Sequence, residues 1–198
     1  GYMEAKSSAL LQGELKAAGF TVTTGIAGEP TAFVAEFGSG KPVIAILGEY
    51  DALPGLSQAA TPERRSVIAG GPGHGCGHHL FGTASTAAAI ALKQWMQANN
   101  VKGTLRMIGT PAEEGGAGKV YMVRDGVFND VDAVIAWHPG DENSVNGERS
   151  MANISGKFRF HGLSSHAATA PERGRSALDG VEVMSVMTNY LREHIPDG

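Results

Sequence analysis

Three histidines and the chain's single cysteine fall within six positions, His74-Gly75-Cys76-Gly77-His78-His79. Imidazole and thiolate are natural ligands of zinc-like cations. The interleaved glycines permit a backbone tight enough to turn Cys76 and His78 toward one point. Three more clusters carry acid–base or ligand groups: Gly48-Glu49-Tyr50-Asp51, Glu113-Glu114 and Trp137-His138-Pro139. Taken singly, each has a plain structural explanation. Adjacent glutamates open many solvated helices, a histidine before proline can cap a strand, and Asp51 can close a turn on its own backbone. The histidine–cysteine run has no such explanation and points to a metal. The rival chemistry is Cys76 as a nucleophile with a nearby histidine as base. That reading leaves Glu113 and Glu114 idle, whereas a metal site employs all four clusters. No Gly-x-x-x-x-Gly-Lys-[Ser/Thr] pattern occurs, which excludes a P-loop.

The elements that must position these groups follow from apolar periodicity. Met3, Leu10, Leu11, Leu15 and Ala18 recur at helical spacing and Gly19 stands where a helix would stop. Residues 20–24 and 31–37 read as short strands, and 42–47 as a strand apolar on both faces. A long aperiodic stretch, 48–77, follows; loops of that length in compact domains usually serve function. Residues 82–98 read as an alanine-rich helix, 104–109 as a strand, 115–125 as a short helix and 131–137 as a further buried strand. The alternation of strands and helices predicts an α/β fold, a mostly parallel sheet with helices on both faces. Asp51, the glutamate pair and His138 all follow strands, and Cys76 and His78 precede a helix, whose amino end is expected to favour the Cys76 thiolate. All four clusters then meet at the carboxyl-end rim of the sheet, where open α/β proteins bind ligands.

Beyond a polar link the pattern changes. Residues 152–161 alternate as a strand with one exposed face, and 176–194 read as an amphipathic helix. The expected organisation is a domain over residues 1–150 and the start of a smaller α+β domain over 151–198. Both ends read as interior to a longer chain. The net charge of −4, from 16 basic and 20 acidic side chains in 198 residues, argues against nucleic-acid or membrane-surface partners. No apolar run has the length of a membrane span. A lone cysteine fits a reducing compartment, so a cytoplasmic location is expected.

Five motifs occur in order: Gly-Glu-Tyr-Asp-Ala-Leu-Pro (48–54), Gly-His-Gly-Cys-Gly-His (73–78), Pro-Ala-Glu-Glu-Gly-Gly-Ala-Gly-Lys (111–119), Trp-His-Pro (137–139) and Ser-Ser-His-Ala-Ala (164–168). Together they resemble the dinuclear-metal amidohydrolases of the aminoacylase and carboxypeptidase clan, over essentially the whole chain. The resemblance implies a zinc-exopeptidase-like catalytic domain followed by a lid or dimerisation domain. It implies two divalent metal ions, manganese or zinc, with Cys76, His78, Glu114 and His138 as ligands and a further histidine ligand beyond residue 198. Glu113 resembles the general base, and Asp51 the carboxylate that orients a ligand. His166 resembles a histidine that reaches a neighbouring subunit's site and donates to the oxyanion. The implied partners are a small N-acyl amino acid substrate and a second subunit, in a homodimer or a heterodimer joined through the lid. The implied reaction is amide hydrolysis by a metal-activated water, with Glu113 moving the proton. Truncated as it reads, the chain is expected to be an incomplete catalyst.

Two positions depart from the family pattern: His79 where many relatives have Asp or Asn, and Glu49 where peptidase cousins have a ligating histidine. A non-catalytic metal-stabilised scaffold is the alternative reading, and the retained Glu113 counts against it. A redox-sensing thiol is weaker, since no resolving cysteine exists.

Overall fold

A computed structural model describes residues 2–145 and 154–195. The chain divides into two compact units, Gly1–Ser144 and Val145–Gly198. The first unit is built on five strands: β1 (Thr21–Thr24), β2 (Phe33–Ser39), β3 (Val43–Glu49), β4 (Gly103–Thr110) and β5 (Ala133–Ile135). Their order across the sheet is β1-β2-β4-β3-β5. β3 runs parallel to both β4 and β5, while β1 and β2 are antiparallel additions at the other side. The sheet is therefore mixed, and its parallel part is the part that carries the candidate residues.

Strand alternation sorts the core into two layers. On one face Phe33, Ala35, Ile46, Leu105 and Met107 pack with Leu11 and Leu15 of α1 (Ala5–Ala17) and Ala89 and Met96 of α2 (His78–Ala98). On the other, Ala45, Leu47 and Ile108 pack with Met122 of α4 (Gly118–Arg124). The preceding turn of helix, α3 (Glu113–Gly116), is separated from α4 by Ala117 at φ 52°. The expected single helix over 115–125 is thus broken in two by one left-handed residue.

Close backbone contact decides where α2 lies. A Cβ on Gly82 would stand 2.6 Å from the Glu49 carbonyl oxygen, and one on Gly48 would stand 3.4 Å from the Gly82 Cα. Two glycines therefore bring the first turns of α2 against the end of β3. His78, one turn before Gly82, lies on the same helix face and arrives at that strand end. α2 begins four residues earlier than its apolar periodicity suggests, because its first turn carries site residues instead of core.

β5 is short and exposed, with Val134 47% and Ile135 55% accessible, where the sequence pattern predicts a buried strand. It stands at the sheet edge, where only β3 adjoins it. Asp132 anchors its start: one carboxylate oxygen accepts from the Val43 N–H at 2.7 Å and the other from Lys41 Nζ at 2.9 Å.

In the second unit α5 (Ala177–Tyr190) forms with Ser176 as its cap, the Ser176 hydroxyl accepting from the Asp179 N–H at 3.1 Å. The expected strand over 152–161 does not form across 154–161, and residues 152 and 153 lie outside the described residues. Alternation alone does not make a strand; a ladder needs a neighbour. Among the described residues of this unit the only bridge joins Leu163 to Arg175. No helix among the described residues is long and apolar enough to cross a membrane.

Candidate metal centre

Glu49 and Asp51 leave the carboxyl end of β3 on one side, and Tyr50 between them turns the other way. The Tyr50 hydroxyl donates to the Thr31 carbonyl at 2.6 Å and its ring stacks on Phe33. Both carboxylates are buried, as is His78. His78 Nδ1 lies 2.8 Å from Asp51 Oδ1, and Asp51 Oδ2 accepts the Glu114 N–H at 2.9 Å. A carboxylate on Nδ1 requires the ring proton there, which leaves the Nε2 lone pair free. That lone pair is 2.8 Å from Glu49 Oε2, yet the angle makes no hydrogen bond, and both atoms are buried without a partner. Two buried acceptor atoms this close repel unless positive charge, a second proton on the imidazole or a cation, is shared between them. The donor set therefore fits a cation.

Gly77 makes the other half of the site. It adopts φ +80°, and a Cβ there would lie 3.0 Å from Pro139 Cγ. Glycine thus lets the Trp137-His138-Pro139 turn close over the start of α2. Cys76 Sγ then lies 3.3 Å from His138 Nε2. His138 Nδ1 is 3.0 Å from the Pro139 carbonyl oxygen, which calls for its proton and again frees Nε2. The Trp137 indole N–H donates to Ser85 Oγ at 3.1 Å, fixing the turn on α2. Donor atoms of Cys76, His78 and His138 all lie within 4.8 Å of one another, and so do those of Glu49, His78 and Glu113.

The two neighbouring glutamates diverge. Ala112, fully buried at φ 58°, precedes them; such left-handed backbone in a non-glycine costs about 1–3 kcal/mol and is held by its surroundings. Glu113 keeps a side chain 46% exposed, with Oε2 at 4.0 Å from His78 Nε2. Burial, then the Glu49 charge, raises its pKa above the ordinary carboxylate value, with Lys119 opposing. Glu114 instead buries Oε1 without a partner.

Cys76 departs from expectation. The start of α2 does not yield a thiolate: burial, the hydrogen bond to Glu114 and the charges of Glu114, Glu113 and Glu49 push the thiol up to about 11. A thiol so protonated is a poor free nucleophile at neutral pH, whereas a bound cation would strip its proton. His166 belongs to the second unit, exposed, with Nδ1 accepting the Ala168 N–H at 3.2 Å.

The sequence pattern places Glu49 in a ligand cluster but assigns neither it nor Lys119 a role in the site. Lys119 Nζ donates to Glu49 Oε1, so a buried carboxylate is held between a lysine and His78. The signal was available: Glu49 and Asp51 are two apart at a strand end and must share a side.

Residues 45–186 match the family described as Peptidase family M20/M25/M40. The chain belongs to that family. The matched span includes every candidate residue from Glu49 to His166. One of the subunits of the p-aminobenzoyl-glutamate hydrolase of Escherichia coli is 54% identical over 186 residues, 93% of this chain and 39% of that protein. Xaa-Arg dipeptidase of Mus musculus is 32% identical over 85% of this chain and 37% of its own. A solved structure from Bacillus subtilis, described as a dinuclear metal binding peptidase from the M20 family, superposes with a TM-score of 0.60. Its identity is 30%, covering 71% of this chain and 38% of that one. The chain thus spans about two fifths of the length of these M20 relatives.

Proposed function

We propose that this chain carries the metal-binding part of an amidohydrolase that cleaves the amide bond of an N-acyl amino acid. The observation that supports it most is the His78 Nε2 lone pair, buried and unpaired, facing Cys76 and His138 on one hand and the exposed Glu113 on the other. Cys76, His78, Glu114 and His138 would hold divalent cations, zinc for the thiolate or manganese for the mixed carboxylate–imidazole set. Bound there, such ions polarise the scissile carbonyl and acidify water.

The chain's own residues do the rest. Asp51 keeps the proton on His78 Nδ1 and holds the Glu114 backbone, so that one buried carboxylate orients two ligand residues. Glu114, with its buried Oε1 unpaired, would stay on a cation. Glu113, free of such contacts and open to solvent, takes a proton from the attacking water and returns it to the departing amine as the C–N bond breaks. Burial, then the Glu49 charge, raises its pKa, which makes it a better proton acceptor than an ordinary carboxylate. In a dimer joined through the second unit, His166 would donate to the carbonyl oxygen as negative charge develops.

A p-aminobenzoyl-glutamate substrate is the first to test, on the 54% identity to the E. coli protein. The test loads the purified protein, alone and with its companion subunit, with manganese or zinc and follows release of p-aminobenzoate and of free amino acid from a panel of N-acyl amino acids. Hydrolysis abolished by chelation and by Glu113→Gln is expected. Tight metal uptake with no turnover of any N-acyl amino acid would favour a metal-stabilised scaffold instead.

A further inference from the structure

We propose that Glu49 is itself a cation ligand, sharing with His78 Nε2 one ion of the site, and that Lys119 locks its carboxylate in the ligating pose. The inference rests on the metal-dependent reading above and adds a donor and a positioning residue to it. Two donors bound to one ion at about 2.0–2.2 Å and roughly 90–110° apart lie about 2.8–3.6 Å from each other. Glu49 Oε2 and His78 Nε2 are 2.8 Å apart, at the near edge of that range, and make no hydrogen bond. The Glu49 side chain is only 7% exposed and that of His78 is fully buried, so no water shell satisfies either atom.

The alternative partners are spoken for. His78 Nδ1 is committed to Asp51, and Glu49 Oε1 to Lys119. Each residue therefore has one free donor atom, and the two free atoms lie 2.8 Å apart. Glu113 Oε2, 4.0 Å from the same nitrogen, stands beside this position where a proton acceptor for attacking water is useful. Lys119 keeps its side chain 30% exposed and occupies the oxygen that would otherwise rotate in and make Glu49 bidentate. It also offsets the negative charge gathered by Glu49, Glu113 and Glu114. Gathering the buried Glu49, the half-buried Glu114 and the exposed Glu113 at one point without cations to offset them would be costly.

The experiment measures cation affinity and coordination, not turnover. Apo-protein is titrated with manganese and with cobalt(II) for the wild type, Glu49→Gln, Cys76→Ser, and the double variant Glu49→Gln/Lys119→Met. Circular dichroism checks folding. Glu49→Gln should weaken one ion at least tenfold and alter the cobalt ligand-field bands, while the thiolate-to-cobalt band from Cys76 persists. The double variant leaves no unpaired buried charge, so it keeps the proposal testable if the single variant folds poorly. It should remain as weak as the single variant. Wild-type affinity and spectrum in Glu49→Gln, or recovery in the double variant, would show Glu49 to be only the counter-charge of Lys119, and would overturn the inference while leaving the metal centre intact. A wild-type protein that takes up no cation, or a Cys76→Ser protein that binds as tightly as wild type, would instead bring down the metal-site reading beneath it.

Discussion

Asp51→Asn is the most informative single perturbation of the proposed centre, because Asp51 accepts two hydrogen bonds with two different oxygens. One comes from His78 Nδ1 at 2.8 Å and the other from the Glu114 N–H at 2.9 Å, and the carboxylate is 3% exposed. An asparagine has one oxygen and one NH₂ in the same space, so it can serve only one of these donors. If its oxygen faces Glu114, the NH₂ donates to His78 Nδ1. The ring proton must then move to Nε2, and the atom that should bind metal becomes a donor. Removing an outer partner of a metal-binding histidine costs about 10–100-fold in affinity, or roughly 1.4–2.7 kcal/mol. If the oxygen faces His78 instead, the NH₂ meets the Glu114 N–H donor to donor. A buried pair left unsatisfied in that way costs about 1–3 kcal/mol of folding stability. In a chain of this size each kcal/mol lowers the melting temperature by about 2–4 °C.

The two outcomes are alternatives, and both are measurable. Competition titration against a chelator reads the affinity, and apo-protein melting reads the stability. Asp51→Asn is expected to lose at least tenfold in affinity, or several degrees in melting temperature, with no route to losing neither. A variant that binds metal as tightly as wild type and melts at the same temperature would refute the claim that Asp51 sets the His78 tautomer.

Glu113→Gln should retain metal and lose about 10²–10⁴-fold in turnover, the usual scale of general-base catalysis, while Glu114→Gln should release metal; metal analysis with the reverse pattern exchanges their roles. Since the Cys76 thiol is pushed up to about 11, metal binding must expel its proton, and affinity should climb about tenfold per pH unit from this residue alone between pH 7 and 9. Cys76→Ser should remove one proton from that dependence, read as proton release in buffers of different ionisation enthalpy. The Glu29 carboxylate is 4% exposed with both oxygens unpaired, and burial, then Glu4 and Asp125, raises its pKa. A raised carboxyl pKa means the folded state keeps a proton that the unfolded state has lost. Stability therefore falls as pH rises through that window, and the deficit persists at neutral pH. Glu29→Gln should melt higher than wild type at pH 7 and equally at pH 3; equal melting at both would show the carboxylate to be satisfied.

What the sequence made legible depends on how far apart the deciding residues are. Gly48-Glu49-Tyr50-Asp51 ends a strand apolar on both faces, so its place on the sheet rim follows from local pattern alone. The same holds for the glutamate pair after β4, and for His138, a few residues past the end of β5. A parallel arrangement then obliges these ends to converge, and Cys76 does lie beside His138, 62 residues away. The partnership of Glu49 with Lys119 was not legible, because it joins residues 70 apart through side chains whose reach depends on the break at Ala117. Nor was the sign of the Cys76 shift, which is set first by burial and then by carboxylates at the end of β3 and the start of α3, and not by the helix that follows it in the chain. The alternating run at 152–161 failed for the complementary reason. Period-two patterning specifies which face a strand would bury, while whether it becomes a strand is decided by a neighbour, and none pairs with residues 154–161 among those described. Reading chemistry from one chain thus works where backbone topology forces distant ends together. It stops where a single side-chain contact, such as Glu49 on His78, chooses between a salt bridge and a ligand.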